Sequence, residues 1–108
     1  MSGSGGGDSP SFNIPSQNDS CENIIINTNL ASPQAIVIAN LTVGNRLNII
    51  AATDQGPIQA LDGNGQIAGN IISREQIRLL NCIRQGTVYV ADIIEIDNGQ
   101  CQVQIHSK

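Results

Sequence analysis

The side chains that could support catalysis or bind a metal ion are few in this chain. Its three cysteines are Cys21, Cys82 and Cys101, and its single histidine, His106, lies close to the C-terminus. No two cysteines form a C-x-x-C pair, so the spacing typical of a zinc site is missing. In a reducing cytosol we expect three buried thiols. The alternative is one disulfide, for which Cys21 and Cys82 are the candidate pair.

The acidic residues show no catalytic or metal-binding pattern. Residues 62–65 (Asp-Gly-Asn-Gly) are similar to the start of a calcium loop, but Ser73 stands where that loop needs a glutamate. Asp54 and Asp97 occupy stretches typical of turns. The sequence has neither a phosphate-binding loop nor a nucleophile elbow. Because no nucleophile, base and orienting group can be assembled, we predict a protein that is not an enzyme and binds no metal or cofactor.

The charge of the chain argues against general nucleic-acid binding. Nine acidic and five basic residues give a net charge of −4, whereas such binding depends on clustered cations that displace counterions. Aromatic residues make up 2% of the chain, and Tyr89 is the only one beyond residue 20, so bases have no stacking platform. A site that reads the shape or the end of a nucleic acid remains open.

The composition changes near residue 20. Residues 1–20 are rich in Gly, Ser, Pro and Asn and cannot bury enough apolar area to fold. We therefore predict a disordered tail followed by one domain over residues 21–108. No apolar run approaches the ~20 residues of a membrane-spanning helix, and the N-terminus lacks the pattern of a secretory signal. We expect a cytoplasmic protein with no membrane partner.

Apolar runs and turn signals predict a mainly β domain. The predicted strands are residues 23–29, 35–39, 46–53, 58–61, 66–71, 87–97 and 100–106. The run at 35–39 (Ala-Ile-Val-Ile-Ala) is too short for its period to separate strand from helix. Its β-branched residues favour a strand, as does the isoleucine-rich composition of the whole domain.

The last hairpin carries the clearest register. Residues 98–99 (Asn-Gly) predict a type I′ turn, which pairs Ile94 with Val103. Strict alternation from there would direct Asp92 into the core, where an unpaired carboxylate is costly. We therefore predict a β-bulge near residues 91–92 that turns Asp92 outward.

One helix is predicted between the hairpins. Residues 73–76 (Ser-Arg-Glu-Gln) match the capping box that opens a helix, and Gly86 suits the position after its last turn. The apolar side chains that recur every three residues are Ile77, Leu80 and Ile83. We therefore predict a small antiparallel β-barrel of about six to seven strands capped by a single helix.

Residues 43–93 carry a resemblance to a known family. The relevant stretches are residues 43–47 (Val-Gly-Asn-Arg-Leu), 54–61 (Asp-Gln-Gly-Pro-Ile-Gln-Ala-Leu), 66–70 (Gln-Ile-Ala-Gly-Asn) and 86–93 (Gly-Thr-Val-Tyr-Val-Ala-Asp-Ile). Their order and spacing, with the helix before the last stretch, resemble the HIRAN domain family of small β-barrels. That resemblance implies recognition of DNA, notably the 3′ ends of single strands. The candidate ligand or DNA contacts are Arg46, Asp54, Asn70, Arg74 and Arg78.

Two functions compete at this point. The first is a non-catalytic accessory module that binds another protein or further copies of itself, since exposed strand edges can pair with a partner. The alternative is a HIRAN-like module that binds single-stranded DNA or 3′ ends. The acidic and aromatic-poor composition favours the first.

Overall fold

Six antiparallel strands form one strongly curled sheet, a half-barrel, with short helices packed against it. The computed structural model describes residues 20–108. The tail predicted over residues 1–20 therefore lies outside the described residues except for Ser20. The mainly β fold class predicted from the apolar runs is confirmed.

The elements alternate between strands and short helices. A 3₁₀ turn spans Cys21–Asn23. The strands, in order from β1 to β6, span Ile26–Asn29, Arg46–Ala51, Ile58–Leu61, Ile67–Ile71, Tyr89–Asp97 and Gln100–Ser107. Helix α1 spans Ala35–Ile38 and helix α2 spans Gln76–Arg84. Across the sheet the strand order is β1-β6-β5-β2-β3-β4. The two edge strands are therefore β1 and β4, and the core lies on the concave face between them.

Alternation along each strand separates the core from solvent. In β2, Leu47 and Ile49 are buried while Arg46 and Asn48 are exposed, the period of two that a strand with one wet face requires. The inward residues of the other strands join them in one aliphatic core, in which Tyr89 is the largest fully buried side chain. Each fully buried Ile or Leu contributes about 1.5–3 kcal/mol, so this core is the main source of stability.

Residues 35–38 form α1, so the strand predicted there is wrong. Val37 and Ile38 are both buried, whereas Ile36 is 83% exposed. A strand would place the adjacent Val37 and Ile38 on opposite faces, while a helical turn lets both reach the core. Asn40 supports the turn, since its Nδ2 donates to the carbonyl of Ile36 at 3.2 Å. Packing of α1 against β4 therefore overrides the β preference of this short run.

Residues 62–65 form the hairpin turn between β3 and β4 that the sequence favours over a calcium loop. Asp62 is nearly buried, and its Oδ1 accepts the backbone N–H groups of Asn64 and Gln66, both at 2.9 Å. A carboxylate used in this way shapes its own turn. The local sequence alone was enough to predict this feature.

The turn of the β5–β6 hairpin is also as predicted. Asn98 and Gly99 have φ values of 52° and 84°, and a type I′ turn requires positive φ at both of these positions. Glycine adopts such values without a Cβ clash, and asparagine tolerates them. Asp97 and Gln100 are therefore paired directly beside the turn.

The β-bulge of this hairpin lies closer to the turn than predicted. The register shifts just after Ile93, so Val103 pairs with Ile93 rather than with Ile94, and the bulge placed near residues 91–92 is wrong in position. Ile94 is 43% exposed instead. Two adjacent isoleucines fit the apolar pattern equally well, so the pattern could not decide which of them points inward. The expected consequence still holds, because the bulge turns Asp92 to the outer face.

Helix α2 packs on the core through most of the predicted stripe but not through its first residue. Leu79 and Cys82 are buried, and Leu80 and Ile83 are partly buried against the core, whereas Ile77, expected on the apolar stripe, is 76% exposed. The helix begins at Gln76, and Ser73 caps the turn before it, since its Oγ accepts a backbone N–H at 3.1 Å. The buried face is the one that carries the cysteine, which is bonded to the N-terminal turn.

A disulfide joins that turn to α2. Cys21 and Cys82 are bonded to each other, and Cys101 is a buried free thiol. The expectation of three thiols is therefore wrong. The bridge closes a loop across a sequence separation of 61 residues, for which loop entropy predicts a stabilisation of about 4 kcal/mol. Burial raises the pKa of the Cys101 thiol, which keeps it protonated and unreactive.

The two sheet edges meet at one point. Ala31, just beyond β1, exchanges two backbone hydrogen bonds of 2.8 Å with Asn70 of β4. The preceding Leu30 donates its N–H to a β6 carbonyl at 2.8 Å, and Gln34 donates its N–H to the carbonyl of Ala68 at 2.8 Å. The segment between β1 and α1 therefore spans from β6 to β4 and closes this end of the half-barrel.

Gly69 permits that approach. A Cβ at residue 69 would lie 2.8 Å from the Cβ of Leu30 and 3.1 Å from the carbonyl oxygen of Ala31. Both are closer than ordinary van der Waals contact, and neither neighbour is the free end of a flexible side chain. A side chain at residue 69 would therefore push β4 away from this segment.

The substitution Gly69→Ala tests the close contact of residue 69 with Leu30 and Ala31. We expect the free energy of unfolding to fall by about 1–3 kcal/mol, because the added methyl group overpacks the contact. The matched control is Gly63→Ala, where a Cβ meets nothing within 4 Å and should be neutral or slightly stabilising. Urea unfolding of both variants measures the difference. Equal midpoints for Gly69→Ala and wild type would contradict this role.

The disulfide is tested by thiol titration. Denatured, unreduced protein is expected to show one reactive thiol per chain, that of Cys101. Reduction should expose all three cysteines and lower the free energy of unfolding by about 4 kcal/mol. A Cys101→Ala control should respond to reductant in the same way as wild type. Three reactive thiols without reductant would show that the bridge is absent.

Candidate functional site

The five candidate contacts lie on different parts of the fold. Asp54 is exposed in the turn between β2 and β3, Asn70 is on β4, Arg74 precedes α2, and Arg78 lies on α2. Arg46 begins β2 and points to the outer face, because its neighbour in the strand points into the core. Helix α2 packs on the opposite, concave face. The structure therefore does not bring Arg46 together with Arg74 and Arg78.

Two of these arginines form ion pairs with acidic residues. Arg46 Nε donates to Asp92 Oδ1 at 2.9 Å, and Arg78 Nη1 donates to Glu75 Oε1 at 3.5 Å. A guanidinium that already faces a carboxylate attracts a phosphate less than a free one does. The clustered positive potential that a DNA-binding surface needs is therefore not assembled from these residues.

A charged cluster on the outer face was missed by the sequence reasoning. Asp92 of β5 bridges two strands: its Oδ1 accepts from Arg46 of β2, and its Oδ2 lies 2.7 Å from His106 Nε2 of β6. The other ring nitrogen, Nδ1, lies 2.9 Å from the carbonyl of Ser107. Because both nitrogens face acceptor oxygens, the protonated ring with its two N–H donors fits this position. The signal was the register, since a bulge that turns residue 92 outward places it on the same face as residue 106, which lies diagonally across the strand pair.

The cluster shifts the pKa values of its members in matching directions. The hydrogen bond from Arg46, followed by that from His106, lowers the pKa of Asp92. The hydrogen bond with Asp92, followed by that with the Ser107 carbonyl, raises the pKa of His106. The hydrogen bond to Asp92 also raises the pKa of Arg46. The arrangement therefore favours a carboxylate held between two cations.

The contacts of this cluster run between neighbouring strands. Among residues 20–108, no hydroxyl or thiol that could act as a nucleophile is hydrogen-bonded to His106. The cluster instead ties three neighbouring strands together. It also borders Val90, an outer-face residue that is fully buried between its cross-strand neighbours Asn48 and His106. Within the same range, no group of three or more His, Cys, Asp and Glu residues is suited to a metal ion.

A shallow cleft of about 910 Å³ lies between α1 and the β3–β4 hairpin. It is lined by Gln34, Ala35, Ile36, Val37, Gln59, Gly65, Gln66, Ile67 and Asn70. None of these residues is charged, and Ile36 and Ile67 are 83% and 41% exposed. Aliphatic surface rimmed by polar groups marks sites of protein contact. Of the candidate contacts, only Asn70 lies in this cleft, and sequence reasoning missed the cleft because α1 was expected to be a strand.

Comparison of the chain with protein-family models, with curated proteins and with solved structures found no match. The resemblance to the HIRAN family therefore stays a prediction, and the function has to be argued from the surfaces described above. In the described part of the chain, every helix is too short or too polar to cross a membrane.

The titration of His106 tests the outer-face cluster. The chain has one histidine, so NMR gives a single titration curve, whose midpoint we expect above the ordinary histidine pKa of about 6.5. Asp92→Asn should move the midpoint down, because the hydrogen bond with Asp92 is the main cause of the raised pKa. Asp97→Asn, at the hairpin turn, is the control and should leave the midpoint unchanged. A wild-type midpoint at or below 6.5 would contradict the cluster.

The same shifts set the sign of the pH dependence of stability. The pKa of His106 is raised in the folded state. The pairing of His106 with Asp92 therefore contributes its full stabilisation of the folded state below about pH 6.5, and this contribution is lost as pH rises through the folded pKa. The lowered pKa of Asp92 adds stability above about pH 3.9, which is lost as pH falls through the folded pKa. The pair is partly exposed, so His106→Gln should cost under about 1 kcal/mol between these limits.

Proposed function

We propose that this domain is a non-catalytic interaction module that binds an aliphatic, uncharged segment of another protein in the cleft between α1 and the β3–β4 hairpin. The observation that carries the proposal is the exposure of Ile36 and Ile67 in a cleft lined by uncharged residues. Full burial of an exposed isoleucine contributes about 1.5–3 kcal/mol. A partner that covers both side chains therefore gains free energy of association from them.

The polar rim of the cleft suits a polypeptide partner. Gln34, Gln59, Gln66 and Asn70 line the cleft, and the Nε2 of Gln34 donates to the carbonyl of Ser32 at 3.0 Å. A carboxamide offers both N–H donors and a C=O acceptor. Backbone groups of a bound segment need both kinds of partner once they lose water, since an unpaired group costs about 1–3 kcal/mol. An extended segment can therefore place apolar side chains on the isoleucines and keep its backbone hydrogen-bonded.

Charge supports a protein partner over the HIRAN-like alternative. Nucleic-acid affinity comes largely from Lys and Arg residues that neutralise phosphates. The cleft residues include no cation, the chain has a net charge of −4, and Arg46 and Arg78 face carboxylates. These observations favour a protein partner over recognition of a 3′ end.

The cellular compartment is part of this proposal. The Cys21–Cys82 bridge supports oxidising surroundings, because cytosolic thiols are mostly kept reduced, and it therefore argues against the cytoplasm expected from the sequence. We expect the bridge to be present where the protein acts. Rapid alkylation of thiols in intact cells, followed by mass spectrometry, measures its state, and alkylated Cys21 and Cys82 would point to the cytoplasm.

Peptide binding tests the cleft. Peptides selected from a random displayed library against the full chain are expected to be aliphatic and uncharged. Ile36→Asp should weaken a selected peptide at least about tenfold by fluorescence anisotropy, because burying an unpaired carboxylate is costly. Ile77→Asp is the matched control, since residue 77 is 76% exposed against 83% for residue 36 but lies on α2, outside the cleft.

Two results would contradict the proposal. The first is a set of selected peptides that bind wild type and Ile36→Asp equally well. The second is submillimolar binding of a 3′-ended oligonucleotide at low salt that no selected peptide displaces. That result would favour the HIRAN-like alternative.

A further inference from the structure

We propose that the open edge of β1 pairs with the β1 edge of a second copy of the chain to form a symmetric dimer. This surface is separate from the cleft, whose lining includes no β1 residue. The inference therefore does not rest on the proposed function. It rests on the hydrogen-bond pattern and composition of one strand.

Alternate residues of β1 direct their backbone groups away from the sheet. Leu30 donates its N–H to β6, and hydrogen-bonded positions alternate along an antiparallel pair. Ile26 and Thr28 therefore bond to β6, while Asn27 and Asn29 present their N–H and C=O groups at the open edge. Both asparagines are exposed, and the Asn29 carbonyl also accepts from the Thr28 hydroxyl at 3.4 Å.

This edge lacks the features that usually prevent strand pairing between molecules. Residues 23–30 contain no charged residue and no proline, and β1 pairs with β6 without a bulge. Proteins commonly protect exposed edges with lysine, proline or a bulge. Ile25, which is 63% exposed, adds aliphatic surface beside the edge. Residues 20–108 therefore leave this edge open to another strand.

Charge and topology point to a second copy as the partner. Contact between chains of net charge −4 is favoured where the paired strands carry no charge, and residues 23–30 with their β6 neighbours Gln102 and Gln104 carry none. The nearest carboxylates, Glu95 and Asp97, lie beside the Asn29 end of the strand. The opposite sheet edge is already occupied, since Asn70 and Ala68 of β4 bond to residues 31–34. Because residues 20–108 leave one sheet edge open, antiparallel β1–β1 pairing closes as a twofold dimer and does not continue into a fibre.

The pattern of outward groups suggests a register. With the twofold axis at Asn27, this residue faces its own copy and Ile25 faces Asn29 of the second chain, which allows up to about six main-chain hydrogen bonds. A single strand pair is much smaller than a stable interface of about 1,200–2,000 Å². We therefore expect a dissociation constant on the order of 10⁻⁵ to 10⁻³ M.

Sedimentation velocity of the full chain tests the dimer. Between concentrations of about 10 µM and about 1 mM, spanning the expected dissociation constant, the mass should rise from 11.4 kDa towards twice that value. Asn27→Lys places two ammonium groups together at the axis and should weaken the dimer at least about tenfold. Gln104→Lys is the matched control, because residue 104 is paired with residue 27 on the same outer face. In the dimer the two copies of residue 104 would lie about 14 Å apart, which is more than the screening length of the salt solution. This substitution should therefore raise the dissociation constant less than about threefold.

Hydrogen exchange locates the interface. The amides of Ile25, Asn27 and Asn29 should exchange at least about tenfold more slowly above the dissociation constant than below it, while that of Asn70, already bonded to Ala31, should not change. Asn27→Pro removes an outward N–H that β6 does not use and should abolish the dimer.

Three results would overturn the proposal. A chain that stays monomeric up to about 1 mM, the upper limit of the expected dissociation constant, excludes it. A dimer that survives both Asn27 variants, or that leaves these amides unprotected, uses another surface. Slow exchange of the same amides in a monomer would mean that another segment of the same chain covers the edge.

Discussion

The approach of the β1 end to β4 is the contact on which the shape of the domain depends. The strand order places β1 and β4 at opposite edges of the sheet, so pairing between neighbouring strands alone does not bring them together. The sheet has to curl until Ala31 and Asn70 exchange two hydrogen bonds of 2.8 Å, and Gly69 lets the backbones come this close. Each bond contributes about 1 kcal/mol net, but a buried group left unpaired would cost about 1–3 kcal/mol.

Both candidate surfaces follow from this closure. The bond from Gln34 N–H to Ala68 holds the start of α1 against β4, and α1 then forms one wall of the cleft. Because the closure engages only one end of β1, the rest of its edge stays open. At the other end the chain is held by the disulfide and by Tyr89, whose Oη donates to the carbonyl of Cys21 at 2.6 Å. Burial raises the pKa of Tyr89, so the hydroxyl stays protonated and remains a donor.

Features that depend on neighbouring residues could be predicted from the sequence, and features that depend on distant ones could not. The Asn98-Gly99 turn is local and was found. The capping box was wrong in position, because Glu75 rather than Ser73 is the N-cap of the helix and Ser73 stabilises only the turn before it. Residues 35–38 became a helix through contact with β4, which a short apolar run does not encode. The cluster around Asp92 required the position of the bulge and the β2–β5 pairing together, and each was ambiguous from the apolar pattern alone.

The distribution of charge separates the two classes of function by their response to salt. Asp, Glu, Lys and Arg residues make up 13% of the chain. Two of them, Arg46 and Asp92, are paired with each other and with His106 on the outer face. The cleft and the β1 edge are left uncharged. Long-range repulsion between chains of net charge −4 weakens as salt screens it, whereas apolar and backbone contacts persist. Association through these surfaces therefore holds or strengthens with salt, while binding to DNA, which depends on released counterions, weakens steeply.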